Sequence, residues 1–353
     1  MATERKPELE PGATSGQERL PRRSRPEGAD GRVGGRPPAR RHSPAQATLP
    51  GMEPSVPAAR AIRRVLLTGA SGFLGREVLR RLLAGGSEVV AVSRRPRRDT
   101  ISPGVIQVAA EITGGEWHRW AEHCTAAIHL AGTIRELPRA RDTVDRVNRV
   151  GTESVVAACR AHGIRRLVYV SALGAHRDAT TAYLRSKWHA EEAVRRSGLD
   201  WTIVRPALLF GPGDRFSGTL ARMLRRLPVF PVFGSGAYVL QPIAVAEVAA
   251  ALVAALEIGA CASEVVEMGG PEILTYVEAV RRTAAVLGVR RTLVHLPVGV
   301  SRLMVRVLQW APDPPITPDQ LTMLLAGSRC DTRAASLLFD APRLRYEGPT
   351  WLK

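Results

Sequence analysis

The sequence predicts an α/β fold, a doubly wound parallel sheet with helices on both faces and a smaller C-terminal lobe. Short continuous apolar runs alternate with helical stretches from about residue 63 to residue 206. Strands buried on both faces read as unbroken apolar runs, whereas half-exposed strands alternate. The first run ends in a glycine-rich turn that opens a helix, "TGASGFLG", as the first strand of a strand–helix–strand unit requires.

Residues 1–60 hold little that could be buried. "PGATSGQERLPRRSRPEGADGRVGGRPPARRHSPAQ" is rich in Arg, Pro and Gly and is expected to be disordered. It lacks the apolar stretch of a secretion signal, and its acidic residues argue against a transit peptide. Met52 stands just ahead of the first strand and is the expected true start. The expected nucleotide-binding domain, residues 61–207, then begins with the strand "RVLLTG" and the helix "FLGREVLRRLLAGG". "EVVAVSR", "VIQVA" and "AAIHLAG" read as strands, followed by a helix from about Thr143 to His162. "RLVYVSA", a helix from about Thr181 to Arg196, and "WTIVRP" complete the alternation. After Pro206 it breaks into loops such as "FGPGDRF" and "PVFPVFGSG" with helices between them. Residues 208–353 are therefore expected to form a mixed substrate-binding lobe, some of whose elements return to the first core.

Composition narrows the function. The 353 residues are 45% hydrophobic, enough for a sizeable core, and carry a formal net charge of +17. That excess suits an anionic partner or an arginine-rich solvated surface. Aromatics are only 5% and are not interleaved with basic clusters, which argues against a nucleic-acid module. Cys124, Cys159, Cys261 and Cys330 are scattered, so neither a metal site nor a disulfide framework is implied, and a reducing cytoplasm fits. No run of about 20 apolar residues is present to span a membrane.

The glycine turn carries the first chemistry. Gly69, Gly72 and Gly75 allow a sharp turn, close approach of a pyrophosphate to the backbone, and packing of helix on sheet. The helix N-terminus offers unpaired N–H groups to the phosphates. The spacing is G-x-x-G-x-x-G rather than G-x-G-x-x-G, but its strand–turn–helix setting points to dinucleotide binding in a Rossmann-type fold. The expected contacts are Gly69, Ser71, Gly72, Phe73, Leu74 and Gly75. The second strand ends in Ser93, Arg94 and Arg95 with no acidic residue. Guanidinium forks suit a ribose 2′-phosphate, so NADP(H) is favoured over NAD(H).

Lysine is rare here. Among 50 basic residues only Lys6, Lys187 and Lys353 are lysine, and only Lys187, in "YLRSK", lies in the body of the chain. Tyr183 and Lys187, four apart on a helix, face one way. An ammonium beside a phenol would draw its pKa from near 10 toward working pH and make it a usable acid/base. Arginine lacks the compact, rotatable donors needed to serve ribose hydroxyls and phenol together.

With "YLRSKWHAEEAVRRSGLDWTIVRPALLFGPGDRF" and "GGPEILTYVEAV", residues 63–330 resemble the extended and atypical short-chain dehydrogenase/reductases. Within them the chain is similar to the group of the dehydrogenase-like accessory subunit of respiratory complex I. The resemblance implies that Tyr183 and Lys187 are the catalytic core and that Ser171 positions the substrate oxygen. It implies that Asn148 supports the lysine through water or backbone, that Pro206 lies near the nicotinamide, and that Leu130, Ala131 and Gly132 line the cofactor. A strand-end serine bonding its own backbone is the alternative for Ser171. Glu111 stands where many relatives carry Asp, leaving the adenine contact unassigned.

Three readings follow. An oxidoreductase would move hydride between nicotinamide and a carbonyl or hydroxyl carbon, and epimerase or dehydratase chemistry would use the same residues. A cofactor-holding accessory or assembly protein of a respiratory, quinone-linked complex would keep the nucleotide without turnover. The expected partners are a small-molecule substrate, quinone or lipid-like, or a protein complex. Finally, "VSRLMVRVLQWA" places Val300, Leu303, Met304, Val307, Leu308 and Ala311 on one helical face, with Arg302, Arg306 and Gln309 opposite. Such a helix either packs on the second lobe or gives residues 300–311 a peripheral contact with the cytoplasmic membrane face.

Overall fold

The computed structural model describes residues 64–135, 143–257, 259, 262–311 and 314–352. The expectations for residues 1–60, Met52 and Cys261 fall outside them. The chain runs β1 (Arg64–Thr68), α1 (Phe73–Ala84), β2 (Glu88–Ser93), β3 (Val105–Ala109), β4 (Ala126–His129), α2 (Gly151–Ala161), β5 (Arg166–Val170), α3 (Ala182–Arg195) and β6 (Asp200–Pro206). It continues through β7 (Leu209–Phe210), α4 (Arg215–Arg226), β8 (Val229–Phe233), β9 (Val239–Leu240), β10 (Ile243–Ala244) and α5 (Val245–Ala254). Then come β11 (Glu264–Met268), β12 (Leu274–Thr275), α6 (Tyr276–Val286), β13 (Thr292–Leu296), α7 (Val298–Leu308), α8 (Pro318–Ala326) and α9 (Arg333–Leu338).

Seven strands form one parallel sheet in the order β3-β2-β1-β4-β5-β6-β11. The order reverses between β1 and β4, and ligands bind outside the carboxyl ends of the strands at such a switch point. The sheet alternates its apolar side chains between two cores. Val65, Leu67, Val89 and Val168 face Val78 and Leu82 of α1 and Val248 and Leu252 of α5. Leu66, Val90, Ala127 and Leu167 face Val155 and Cys159 of α2 and Ala190 and Val194 of α3. A third cluster joins Leu220 and Leu224 of α4, Phe230 and Val232 of β8, and Tyr276 and Val280 of α6.

Helix starts follow the sequence chemistry. The Thr181 hydroxyl accepts the Leu184 amide at the start of α3, and Asp214 accepts the Ser217 amide at the start of α4. Thr275 with Glu278, and Thr317 with Gln320, form capping boxes. Arg215, next to the Asp214 cap, is exposed.

The β2–β3 and β3–β4 connections carry short 3-10 turns, Arg98–Thr100 and His118–Ala121. Two details go beyond the sequence expectation. The helix expected from Thr143 opens with a π turn, Arg146–Val150. The seventh strand, β11, pairs with β6 although Glu264 and Glu267 interrupt its apolar run.

Candidate nucleotide and catalytic site

The glycine turn is shaped by contacts that forbid a side chain. Gly69 has φ 75°, and a Cβ there would lie 2.7 Å from the Ala131 amide nitrogen. A Cβ at Gly75 would lie 2.1 Å from the Gly69 carbonyl oxygen. Gly72 caps α1 with no side-chain hydrogen bond, and the first turn holds no acidic residue. The amides of Phe73 and Leu74 therefore start the helix without an internal acceptor. Unpaired amides at a positive helix end, beside a turn that side chains would block, suit the phosphates of a dinucleotide. Ser71 is half-buried in the same turn.

Ser93 ends β2 half-buried, with Arg94 and Arg95 exposed beyond it. Glu111 is exposed after β3. Across the crevice, Leu130 donates its amide to the Thr68 carbonyl oxygen at 3.2 Å. A Cβ on Gly132 would meet Asn148 Oδ1 at 2.9 Å and Lys187 Nζ at 3.5 Å, so this turn adjoins the catalytic candidates. Pro206 is buried at the end of β6, opposite Met268.

The sheet register builds a polar row at the carboxyl ends of its strands. Thr68 of β1 pairs with His129 of β4, which pairs with Tyr169 of β5. Thr152 donates its hydroxyl to the Asn148 carbonyl oxygen at 2.5 Å. Its oxygen then accepts from His129 Nε2 at 2.9 Å, which leaves His129 Nδ1 to accept from Thr68 at 2.6 Å. Burial and the nearby Lys187 charge hold the His129 pKa down at about 3, so the imidazole is neutral. The His129 and Tyr169 rings stack at 5.3 Å.

Lys187 is 4% exposed and points into this row. It donates to the Val170 carbonyl oxygen at 2.7 Å and to the Tyr169 hydroxyl at 3.1 Å, with its nitrogen 4.7 Å from the Tyr169 ring centre. Burial draws its pKa down to about 8, opposed by Glu191 one turn further along α3. Glu191 is itself fully buried and tied to Arg195 and Arg205.

Tyr183 departs from expectation in one respect. Lys187 donates to Tyr169 and Val170, not to Tyr183, and burial pushes the Tyr183 phenol up to about 12. The ammonium thus does not depress this phenol here, because strand β5 supplies it with nearer acceptors. The Tyr183 amide meets Asp319 Oδ2 of α8 at 3.4 Å. Ser171, two residues beyond Tyr169, donates its amide to the Val204 carbonyl oxygen, and its buried hydroxyl has no partner among the described residues. The backbone-bonded alternative for that hydroxyl is therefore not what the structure shows.

Asn148 sits in the π turn and clasps two elements. Its Oδ1 accepts the Thr133 amide at 2.8 Å, and its Nδ2 donates to the Thr133 carbonyl oxygen and to Ser186 Oγ, each at 2.9 Å. Its side chain pins the loop after β4 to α3, one residue from Lys187. Tyr169, Thr152 and Asp319 were not singled out from sequence, and His129 only as the first residue of the cofactor-lining turn "HLAG". Tyr169 alone left a usable signal, standing two residues before Ser171 on a strand of period two. Cys124 and Cys159 are buried with thiols pushed up to about 11 and about 12, as expected of small core residues.

Fold and crevice together define a nucleotide-binding protein of the short-chain dehydrogenase/reductase type. The chain belongs to the NAD(P)H-binding family, whose family model matches residues 69–258. It is similar to the ceramide reductase of Caulobacter vibrioides, 33% identical over 242 residues, covering 66% of this chain and 73% of that one. It is also similar to the mitochondrial NADH dehydrogenase [ubiquinone] 1 alpha subcomplex subunit 9 of Arabidopsis thaliana, 29% identical over 215 residues. That match covers 59% of this chain and 54% of the subunit, so the chain spans about half the length of that relative. Among solved structures, MoeE5 in complex with UDP-glucuronic acid and NAD shares the fold at a TM-score of 0.66 and 22% identity, over 82% of this chain and 96% of that one.

Proposed function

We propose that this protein is an NADP(H)-dependent reductase of a lipid-like carbonyl compound. The observation that carries the reading is Lys187, a buried ammonium on the helix of Tyr183 at the switch-point crevice. Among the described residues no carboxylate lies within ion-pair distance of it. Such burial is costly unless the charge serves something. The likeness to a ceramide reductase supports the lipid-like substrate.

A bound nicotinamide would supply hydride to the substrate carbon. Ser171 Oγ would donate a hydrogen bond to the carbonyl oxygen, which satisfies its orphaned hydroxyl. Tyr183 would give that oxygen its proton and be left as a phenolate. A phenol near 12 stays protonated until substrate arrives, the state a donor needs. An ammonium has three donors, and Lys187 spends two on Tyr169 and Val170. The third is left for the ribose or the nascent phenolate. Asn148 and His129 would hold the surrounding loop and strands.

Tyr183→Phe is expected to lower NADPH consumption at least about a hundredfold on a panel of long-chain ketones and quinones, with NADPH affinity unchanged by fluorescence titration. Tightly held nucleotide that never turns over in the parent protein would favour the cofactor-holding reading, to which the complex I subunit likeness lends weight. The cofactor preference has its own test. Arg94→Ser/Arg95→Ser should weaken NADPH binding by about tenfold, roughly 1.4 kcal/mol, and leave NADH binding almost unchanged. Equal losses for both would overturn the 2′-phosphate assignment.

A further inference from the structure

We propose that α7 is a docking surface for an anionic lipid bilayer. Val300, Leu303, Val307 and Trp310 are 52%, 64%, 65% and 63% exposed. The spacing of Val300, Leu303 and Val307 puts them on one face of the helix, that face points outward, and Trp310 follows in the turn just past the helix end. Only Ser301 and Val305 of α7 are buried, Val305 against Phe233 and Leu321. The apolar stripe that could have packed on the second lobe is thus turned to solvent.

The chemistry of the stripe selects its occupant. Arg302 and Arg306 are exposed beside it, and neither pairs with a described carboxylate. Two guanidinium groups on the Leu303 side of the exposed apolar stripe, Arg306 nearer to it than Arg302, complement lipid phosphates above acyl chains. Their stems can lie along the apolar surface while the charge stays in water. Trp310 closes the stripe with a ring suited to the interface between headgroup and hydrocarbon. One three-turn helix face is narrow for a stable protein interface of about 1,200 Å², whereas an interfacial helix needs only such a stripe.

The placement also bears on the site. The chain beyond α7 reaches Pro314, whose carbonyl oxygen accepts from Arg135 at 3.0 Å, in the loop that Asn148 clasps. It then forms α8, whose Asp319 meets the Tyr183 amide. A lipid-like substrate would be delivered beside the docking helix, a point that rests on the reductase reading; the docking itself does not.

The test is co-sedimentation of the full chain with vesicles of phosphatidylcholine alone and with phosphatidylglycerol added. The parent should bind the anionic vesicles at least about tenfold more tightly than the neutral ones, and less so at high salt. Leu303→Glu/Val307→Glu and Arg302→Gln/Arg306→Gln should each reduce that binding about tenfold, with melting temperature and NADPH affinity unchanged. No binding to anionic vesicles would overturn the proposal. So would binding that survives the glutamate pair, which would place the contact elsewhere on this basic chain. A concentration-dependent dimer dispersed by the glutamate pair would assign the stripe to a second copy instead. Because NADPH affinity and turnover are read separately, failure of docking leaves the reductase reading standing, and the converse holds.

Discussion

Lys187→Met is expected to reduce turnover at least about a hundredfold while leaving the nucleotide-free protein about as stable as the parent at neutral pH. Activity should fall because the third donor of Lys187, left over from Tyr169 and Val170, is no longer there for the ribose or the nascent phenolate. Stability is a balance of two terms. Burial lowers the Lys187 pKa from 10.5 to about 8, which costs the folded state on the order of 3 kcal/mol at pH 7. Methionine removes that cost but takes one hydrogen bond each from the Val170 carbonyl and from the Tyr169 hydroxyl, which keeps Thr152 as a partner, at about 1–3 kcal/mol for a buried group left unpaired. The two nearly cancel, unlike an ordinary core truncation. The pH dependence distinguishes this origin. Between about 8 and 10.5 the unfolded chain binds the lysine proton and the folded protein has released it, so the parent gains stability with rising pH through that window. Lys187→Met should lack that rise. Denaturation midpoints measured from pH 7 to pH 10.5 would show it, and parallel curves for the two proteins would refute it.

Gly75→Ala should disrupt the glycine turn directly. Its Cβ would stand 2.1 Å from the Gly69 carbonyl oxygen and 2.9 Å from the Ala70 Cα. Both are backbone atoms of the turn, with no flexible side chain to give way. Overpacking of this kind costs about 1–3 kcal/mol, and the displaced turn should cost NADPH affinity at least about tenfold. Gly218→Ala in α4 is the control, because a Cβ there meets nothing within 4 Å. Alanine in a helix interior should stabilise by about 0.8–1 kcal/mol relative to glycine. Thermal melts and calorimetric NADPH titration would compare them. A Gly75→Ala protein that binds NADPH normally would remove the turn from the nucleotide site.

How much of this was legible in the sequence depended on whether the signal was local. β1 to β6 were readable because each is a short apolar run, and β3, Val105–Ala109, coincides with its predicted limits. The glycine turn and the Tyr183–Lys187 spacing were readable for the same reason. β11 was not located, because a strand that pairs on one side only tolerates glutamates. The polar row Thr68–His129–Tyr169 was not readable either, since cross-strand register brings together residues 61 and 40 positions apart. Register also explains the hydrogen-bond partners of Lys187. The helix spacing placed it near Tyr183, but the strand beneath supplied Tyr169 and Val170 as closer acceptors.

The π turn at Arg146–Val150 amounts to one surplus residue threaded into an otherwise α-helical stretch. Its loss would re-phase everything upstream by about 100°, the angle one residue occupies around a helix. Asn148 could then no longer grip Thr133 and Ser186 together. Shortening the chain there by a single codon would accordingly uncouple the loop after β4 from the helix of Tyr183 and Lys187, even with every other residue retained.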